Sequence, residues 1–258
     1  MKRDVASRRW IAAGTAVAVL AAWYLATTAT GLVSPARFPT PREFWDALRQ
    51  ISTTGYADGN LLAHALHSCK LVLMGFVAAV AAGLPLGLAM GWSRRVEAFA
   101  NPAFLLIRPI PPLAWIPLAI VWLGLGDAAK VMVIWFAAFV PAVINSYAGV
   151  RAIEPHLVEA ARMLGASRRA FVLEVLVPGA LPLIFTGLRL SLQACWTTLV
   201  AGELIGAIAG LGHLLQQASL DIFPAMILVG MAAVAVCGGL MTAALGWLET
   251  RAMPWRRA

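Results

Sequence analysis

Four stretches of this chain, residues 11–33, 71–92, 131–150 and 222–248, contain no Asp, Glu, Lys or Arg. A helix that crosses the apolar core of a bilayer takes about 20 mostly apolar residues, and it must satisfy every backbone polar group internally. Uncharged runs of this length have few other homes. Two further segments come close. Residues 109–126 are slightly short but extend back through 103–107, past Arg108, and residues 179–202 are interrupted only by Arg189. The reading is an all-α membrane protein with six transmembrane helices. Composition agrees, since 61% of the 258 residues are hydrophobic and only 12% charged, where a soluble domain carries roughly a quarter charged residues.

Six crossings leave no room for a separate soluble domain. The expected organisation is a cytoplasmic N-terminus (1–10), a first transmembrane helix (11–33) and an outer loop with an interfacial helix (34–60). A core of five transmembrane helices (61–250) follows, with a long cytoplasmic loop at 151–178 and a basic cytoplasmic tail (251–258). An even number of spans puts both termini on one side. That side collects Lys2, Arg3, Arg8, Arg9, Arg94, Arg95, Arg151, Arg162, Arg168, Arg169, Arg251, Arg256 and Arg257, while Arg37, Arg42, Arg49 and Lys130 fall opposite. Such an excess of basic residues marks the cytoplasmic face. The net charge of +8 is therefore a topology signal. Because the basic residues are dispersed over short loops, no nucleic-acid partner is expected.

The N-terminal "SRRWIAA" resembles a twin-arginine export signal. The apolar run behind it is long enough to span and five more spans follow, so it is read as a retained helix. Cys69, Cys195 and Cys237 sit in apolar surroundings and read as small packing residues. His64 and His67 share a helix face without a third ligand, so no metal site is expected.

Local signals subdivide the rest. In "FPTPREFWDALRQI", Thr40 caps, Pro41 suits the first helical position, and Glu43 completes a capping box. Phe44, Trp45, Leu48 and Ile51 then line one face, either at the outer membrane interface or against other helices. Gly83, Gly87 and Gly91 share a face that permits close approach of another helix, and Pro85 should bend that span. Pro109, Pro111, Pro112 and Pro117 break the start of the third span, as irregular backbone does where it lines a path or is shielded by protein. Residues 204–219 are glycine-rich and too broken for a seventh crossing.

The charged stretch "VEAARMLGASRRAFVLEVLVP" (158–178) lies in the cytoplasmic connection between spans four and five. Pro155 starts a helix whose apolar face is Leu157, Ala160, Ala161 and Leu164, and Gly165 ends it in a left-handed cap. Ser167 caps a second helix that runs to a stop at Pro178. A connection between two spans needs only a handful of residues. A projecting helix pair therefore points to a docking surface.

These residues also carry a resemblance. Glu159-Ala160-Ala161, Gly165, Val175 and Val177-Pro178 reproduce the order and spacing of the Glu-Ala-Ala…Gly…Ile-x-Leu-Pro signature of ABC importer permeases, with valine at both aliphatic positions. "RPIPPLAWIPLAIVWLGLGDAAK" and "GLRLSLQACWTTLVAGELIGAIAGLG" are similar to the nitrate/sulfonate/taurine subgroup, its taurine and alkanesulfonate members in particular. The resemblance covers roughly residues 38–255. It implies a type I ABC importer permease fold in a bacterial inner membrane, working as a homodimer. The charged loop would be a coupling helix seated on a separate ATPase subunit, with an extracytoplasmic substrate-binding protein docking outside. It implies no cofactor on this chain, with ATP and Mg bound by the partner. In agreement, no Gly-Lys pair exists from which a phosphate-binding loop could be built.

Charged groups inside spans are functional suspects. Arg108 reads either as a path residue or as a side chain snorkelling from the cytoplasmic end of span three. Arg189 lies deeper, where it either attracts an anion or ties helices together. Trp115, Trp196 and Thr197, with Trp122 and Thr198, are candidates to line a path through spans three and five. Glu203, near the outer end of span five, is read as a structural partner or gate element. The implied substrates are small anions, sulfonates first, with nitrate, bicarbonate or vitamin-precursor pyrimidines as alternatives. A stand-alone secondary transporter would need ion-coupling groups at mid-membrane, and a membrane enzyme a cluster of catalytic side chains. The sequence displays neither.

Overall fold

The computed structural model of the chain describes residues 2–30, 33, 34 and 37–257. The elements, in order, are α1 (Lys2–Tyr24), followed by a π turn (Leu25–Ala29), α2 (Pro41–Thr53), α3 (Leu61–Trp92) and α4 (Arg94–Ile107). A 3-10 turn (Pro112–Trp115) leads into α5 (Ile116–Leu123), then α6 (Asp127–Arg151), α7 (Pro155–Met163) and α8 (Arg168–Ala170). A second π turn (Phe171–Leu176) joins α8 to α9 (Val177–Gly206), and α10 (Leu211–Leu220) and α11 (Pro224–Ala252) complete the bundle.

Among the described residues, four helices are long and apolar enough to cross a membrane: Leu61–Trp92, Asp127–Arg151, Arg168–Leu204 and Pro224–Ala252. The pair Arg94–Ile107 and Pro112–Leu123 is apolar enough to cross only when taken together, and it is bent by 83° where Pro109, Pro111 and Pro112 break the chain, the shape of a broken span or a re-entrant loop. The expected sixth corresponds to α1 and its π turn, whose apolar part, Gly14–Ala29, is shorter than a straight crossing requires. The expected span also takes in residues 31 and 32, which lie outside the described residues, as do the side chains of Lys2, Arg3, Arg8, Arg9, Arg256 and Arg257.

The predicted start of α2 forms as read. Thr40 Oγ1 accepts the Glu43 N–H, and the Glu43 carboxylate accepts the Thr40 N–H at 2.7 Å. The helix packs on α11, with Ala47 and Ile51 buried and Trp45 facing outward. The core is a layer of α3, α6 and α9. Residues 75 and 91 of α3 face 134 and 150 of α6, so these two helices run parallel, and α9 runs antiparallel to α6. Backbones meet closely because glycine faces them. A Cβ on Gly87 would lie 2.5 Å from the Val143 carbonyl oxygen, and one on Gly187 would lie 2.5 Å from Asn145 Cβ. The glycine face read at 83, 87 and 91 is therefore the α6 contact. Ser191 adds an interhelical hydrogen bond to the Ala138 carbonyl at 2.8 Å.

Candidate functional site

At the end of the bundle that carries the 151–178 loop, Glu154 and Pro155 open α7, and the chain reverses at Gly165 with φ of +71°. That conformation is strained for any residue with a Cβ. Ser167 then accepts the Ala170 N–H at 3.2 Å to start α8, as its sequence position suggested. Two features differ from expectation. Of the apolar face Leu157, Ala160, Ala161 and Leu164, only Ala161 is buried. Leu157, Met163 and Leu164 point outward, the last two 83% and 86% exposed, and Glu159 is exposed beside them.

The second difference is that the helix does not stop at Pro178. It passes through the π turn into α9. Proline lacks an N–H and clashes with the carbonyl four residues earlier. Closing the preceding turn from the Val177 N–H to the Val172 carbonyl, five residues back, widens the helix at the point where Pro178 enters. The pair is thus a rigid extension of a core helix. Phe171 and Leu176 bury it against Val150, Ala180 and Ile184, and Phe171 also packs on Trp92 with ring centroids 4.6 Å apart. Beside it, Glu97 pairs with Arg151 and accepts the Tyr147 hydroxyl at 2.5 Å.

Within the bundle, the candidate path residues fall into two groups. Arg108 and Trp115 line one cleft of about 150 Å³ with Phe136, Ala137, Val140 and Pro141, and Trp115 stacks on Phe136 at 4.1 Å. Because Phe136 to Pro141 is the middle of α6, Arg108 sits at mid-length of the bundle and not near the end of span three where the sequence reading put it. The bend between α4 and α5 places it there. The α9 residues lie elsewhere. Arg189 pairs with Glu249 of α11. Among the described residues, Trp196 is buried against Gly238 with no partner for its Nε1, and Thr197 bonds only its own helix, at Gln193.

A second, narrow cleft, of about 30 Å³, opens between α5, α6 and α9. Its walls are mostly Ile116, Ala119, Ile120, Val133 and Leu199, and its polar groups come from Lys130 and Thr198. On α6 the two clefts use Gly126, Ala129, Lys130 and Val133, then Phe136, Ala137, Val140 and Pro141. Steps of three and four residues keep these on one side of the helix. Ile116 and Trp115, adjacent in sequence, line one cleft each.

At the opposite end of the bundle, Glu203 is fully buried and ties three helices together. Its carboxylate accepts Ser68 Oγ at 2.9 Å and the Gly212 N–H at 2.7 Å, while Ser68 Oγ accepts the Leu211 N–H at 2.8 Å. The Gly210 N–H reaches His64 Nδ1 at 3.2 Å. His64 and His67 diverge, since His67 pairs with Asp127 at 3.3 Å, and Asp127 also meets Lys130 at 3.4 Å. Outside the spans, burial and then the neighbouring His64 hold the His213 imidazole below its usual range. Tyr56 donates its hydroxyl to Asp221, and burial together with that bond pushes the phenol well up. Cys69 and Cys237, read as small packing residues, meet where α3 passes α11.

Of the two readings of Glu203, structural partner or gate element, its hydrogen bonds fit the first, and Thr198, a candidate path residue, lines the cleft, whereas Ser68 and Lys130 were missed. Ser68 is one hydroxyl in an apolar helix, and Lys130 reads as an ordinary charge at a span end. Only the periodicity of α6 from 126 to 141 carried a signal.

Comparison with known proteins adds the following. Residues 83–256 match the family profile described as "Binding-protein-dependent transport system inner membrane component". The taurine transport system permease protein TauC of Escherichia coli K12 is 38% identical over 243 residues, covering 94% of this chain and 88% of its own. The bicarbonate transport system permease protein CmpB of Synechococcus elongatus is 32% identical over 196 residues, or 76% and 70% of the two chains. Among solved structures, a chain of the inward-facing MetNI methionine ABC transporter superposes with a TM-score of 0.60 at 19% identity, covering 72% of this chain and 95% of its own. That likeness shows the fold, a type I ABC importer permease.

Proposed function

The chain belongs to the family of binding-protein-dependent transport system inner membrane components, and from that premise we propose that it is the membrane subunit of an ATP-driven importer of taurine and related small sulfonates. Two copies would form the pore. A separate ATPase would dock on the α7–α8 pair, and a substrate-binding protein would dock at the outer ends of α2, α3 and α10. Both termini would then lie in the cytoplasm of a bacterial inner membrane, and ATP would be bound and hydrolysed only in the partner chain.

The observation that carries this reading is the exposed apolar patch of Leu157, Met163 and Leu164 around Glu159, on a helix pair that continues rigidly into α9. An exposed apolar patch rimmed by charge marks a protein interface. A helix pair fused to a core helix transmits its displacement into the bundle instead of absorbing it. ATP-driven closure of the partner would then alternate the opening of the path between the two faces. The sulfonate assignment follows the similarity to the taurine permease. A bicarbonate substrate, as the name of the second relative suggests, is the competing reading.

The test is reconstitution with the neighbouring ATPase and binding protein. The complex should take up taurine with ATP hydrolysis, whereas Glu159→Lys should insert normally and lose at least 90% of uptake. Full uptake by Glu159→Lys would remove the coupling role, and uptake of bicarbonate but not taurine would replace the substrate.

A further inference from the structure

The cleft between α5, α6 and α9 contains a cation that the fold leaves underused. The Lys130 side chain is only 11% exposed, yet among the described residues its ammonium makes one hydrogen bond, at 3.4 Å to Asp127. An ammonium carries three donors, and a buried one with a single long bond is poorly compensated. Across the cleft, Thr198 is 6% exposed and its hydroxyl bonds nothing among the described residues. The walls between them are aliphatic.

We propose that Lys130 and Thr198 form an anion-accepting site for a small sulfonate at the outer end of the path. At about 30 Å³ the cleft is closed to such a ligand in this conformation, so α5 would have to move off α6 and α9 to admit it. The sulfonate oxygens would then take the ammonium and the hydroxyl, and the short carbon chain would lie against Ile116 and Val133. This rests on the sulfonate reading above and assigns residues to it.

Asp127 is the incoming anion's competitor for Lys130, and displacing it is part of binding. Asp127 bridges Lys130 and His67 through the same oxygen, at 3.4 and 3.3 Å. When an anion takes Lys130, Asp127 keeps its histidine. Glu203 is turned away into the Ser68 hydroxyl and the Gly212 N–H, at the positive end of α10. The next cation on the same side of α6 is Arg108, beside Val140 and Pro141, about ten residues or ~15 Å further in. The site would therefore pass its anion inward along one stripe of α6.

Uptake of taurine by the reconstituted complex, measured against concentration, tests this. Lys130→Met should raise KM at least tenfold while the complex still assembles and its ATP hydrolysis still responds to loaded binding protein. Lys130→Arg should stay within about threefold of wild type, and Thr198→Val, which removes only the hydroxyl, should raise KM several-fold. Wild-type kinetics for Lys130→Met overturn the site. Where that variant does not assemble, wild-type kinetics for Thr198→Val do so. If the unmodified complex takes up no sulfonate at all, the substrate reading falls first and the site falls with it.

Discussion

Glu203 has no exposed surface, so its carboxylate depends entirely on the groups around it. Those groups are the Ser68 hydroxyl and the N-terminal turn of α10, where the unpaired N–H groups of a helix start offset a negative charge. The residue thus acts as a cap supplied from another helix. Glu203→Ala would leave the Gly212 N–H without an acceptor and remove a partner of Ser68, at a cost of about 2 kcal/mol. The expected result is a lower melting temperature for the detergent-solubilised protein, with faster amide exchange at Gly212. Glu203→Gln keeps one acceptor and should lose less. Unchanged melting of the alanine variant would refute the capping role. The glutamate stands out in the sequence because charge is rare in a span. Its serine partner, 135 positions away, does not, because only the parallel packing of α3 and α6 beside α9 brings them together.

Single elements follow the local code where their signals are local. The Thr40–Glu43 capping box, the Ser167 cap and the left-handed turn at Gly165 all form as the residues indicate. Gly165 permits a clean measurement, because a Cβ there would meet nothing within 4 Å. Gly165→Ala therefore costs only the backbone strain of a φ of +71°, about 1 kcal/mol, without a clash. If the turn presents the docking surface as proposed, affinity for the ATPase should fall by about fivefold, and titration with the purified partner would measure it. Unchanged affinity would mean that the turn's shape is irrelevant to docking. Elements that depend on non-local compensation were not legible. Pro178 reads as a stop, yet a π turn carries the helix past it. The prolines before α5 announce a break but not its 83° angle, which is set by how α5 lies on α6.

For the whole molecule, these two behaviours divide the bundle into parts that hold and parts that can move. α3, α6 and α9 meet backbone to backbone, with imagined Cβ contacts near 2.5 Å, so sliding any one past another would drive side chains into main chain. The bent α4–α5 pair touches α6 through side chains around two clefts, and Gly124 and Gly126 at its end have free space around them. Low packing density marks the segments that rearrange first. In the assembled transporter, trapping the ATP-bound state should therefore change amide exchange in residues 112–126 and 155–170, while the interiors of α3, α6 and α9 stay equally protected. Mass spectrometry on the reconstituted complex would read this directly. The opposite pattern, with exchange rising along the α3–α6 seam and constant over 112–126, would mean that the core trio itself is the moving part. The glycine seam would then have to be read as a sliding track and not as a clamp.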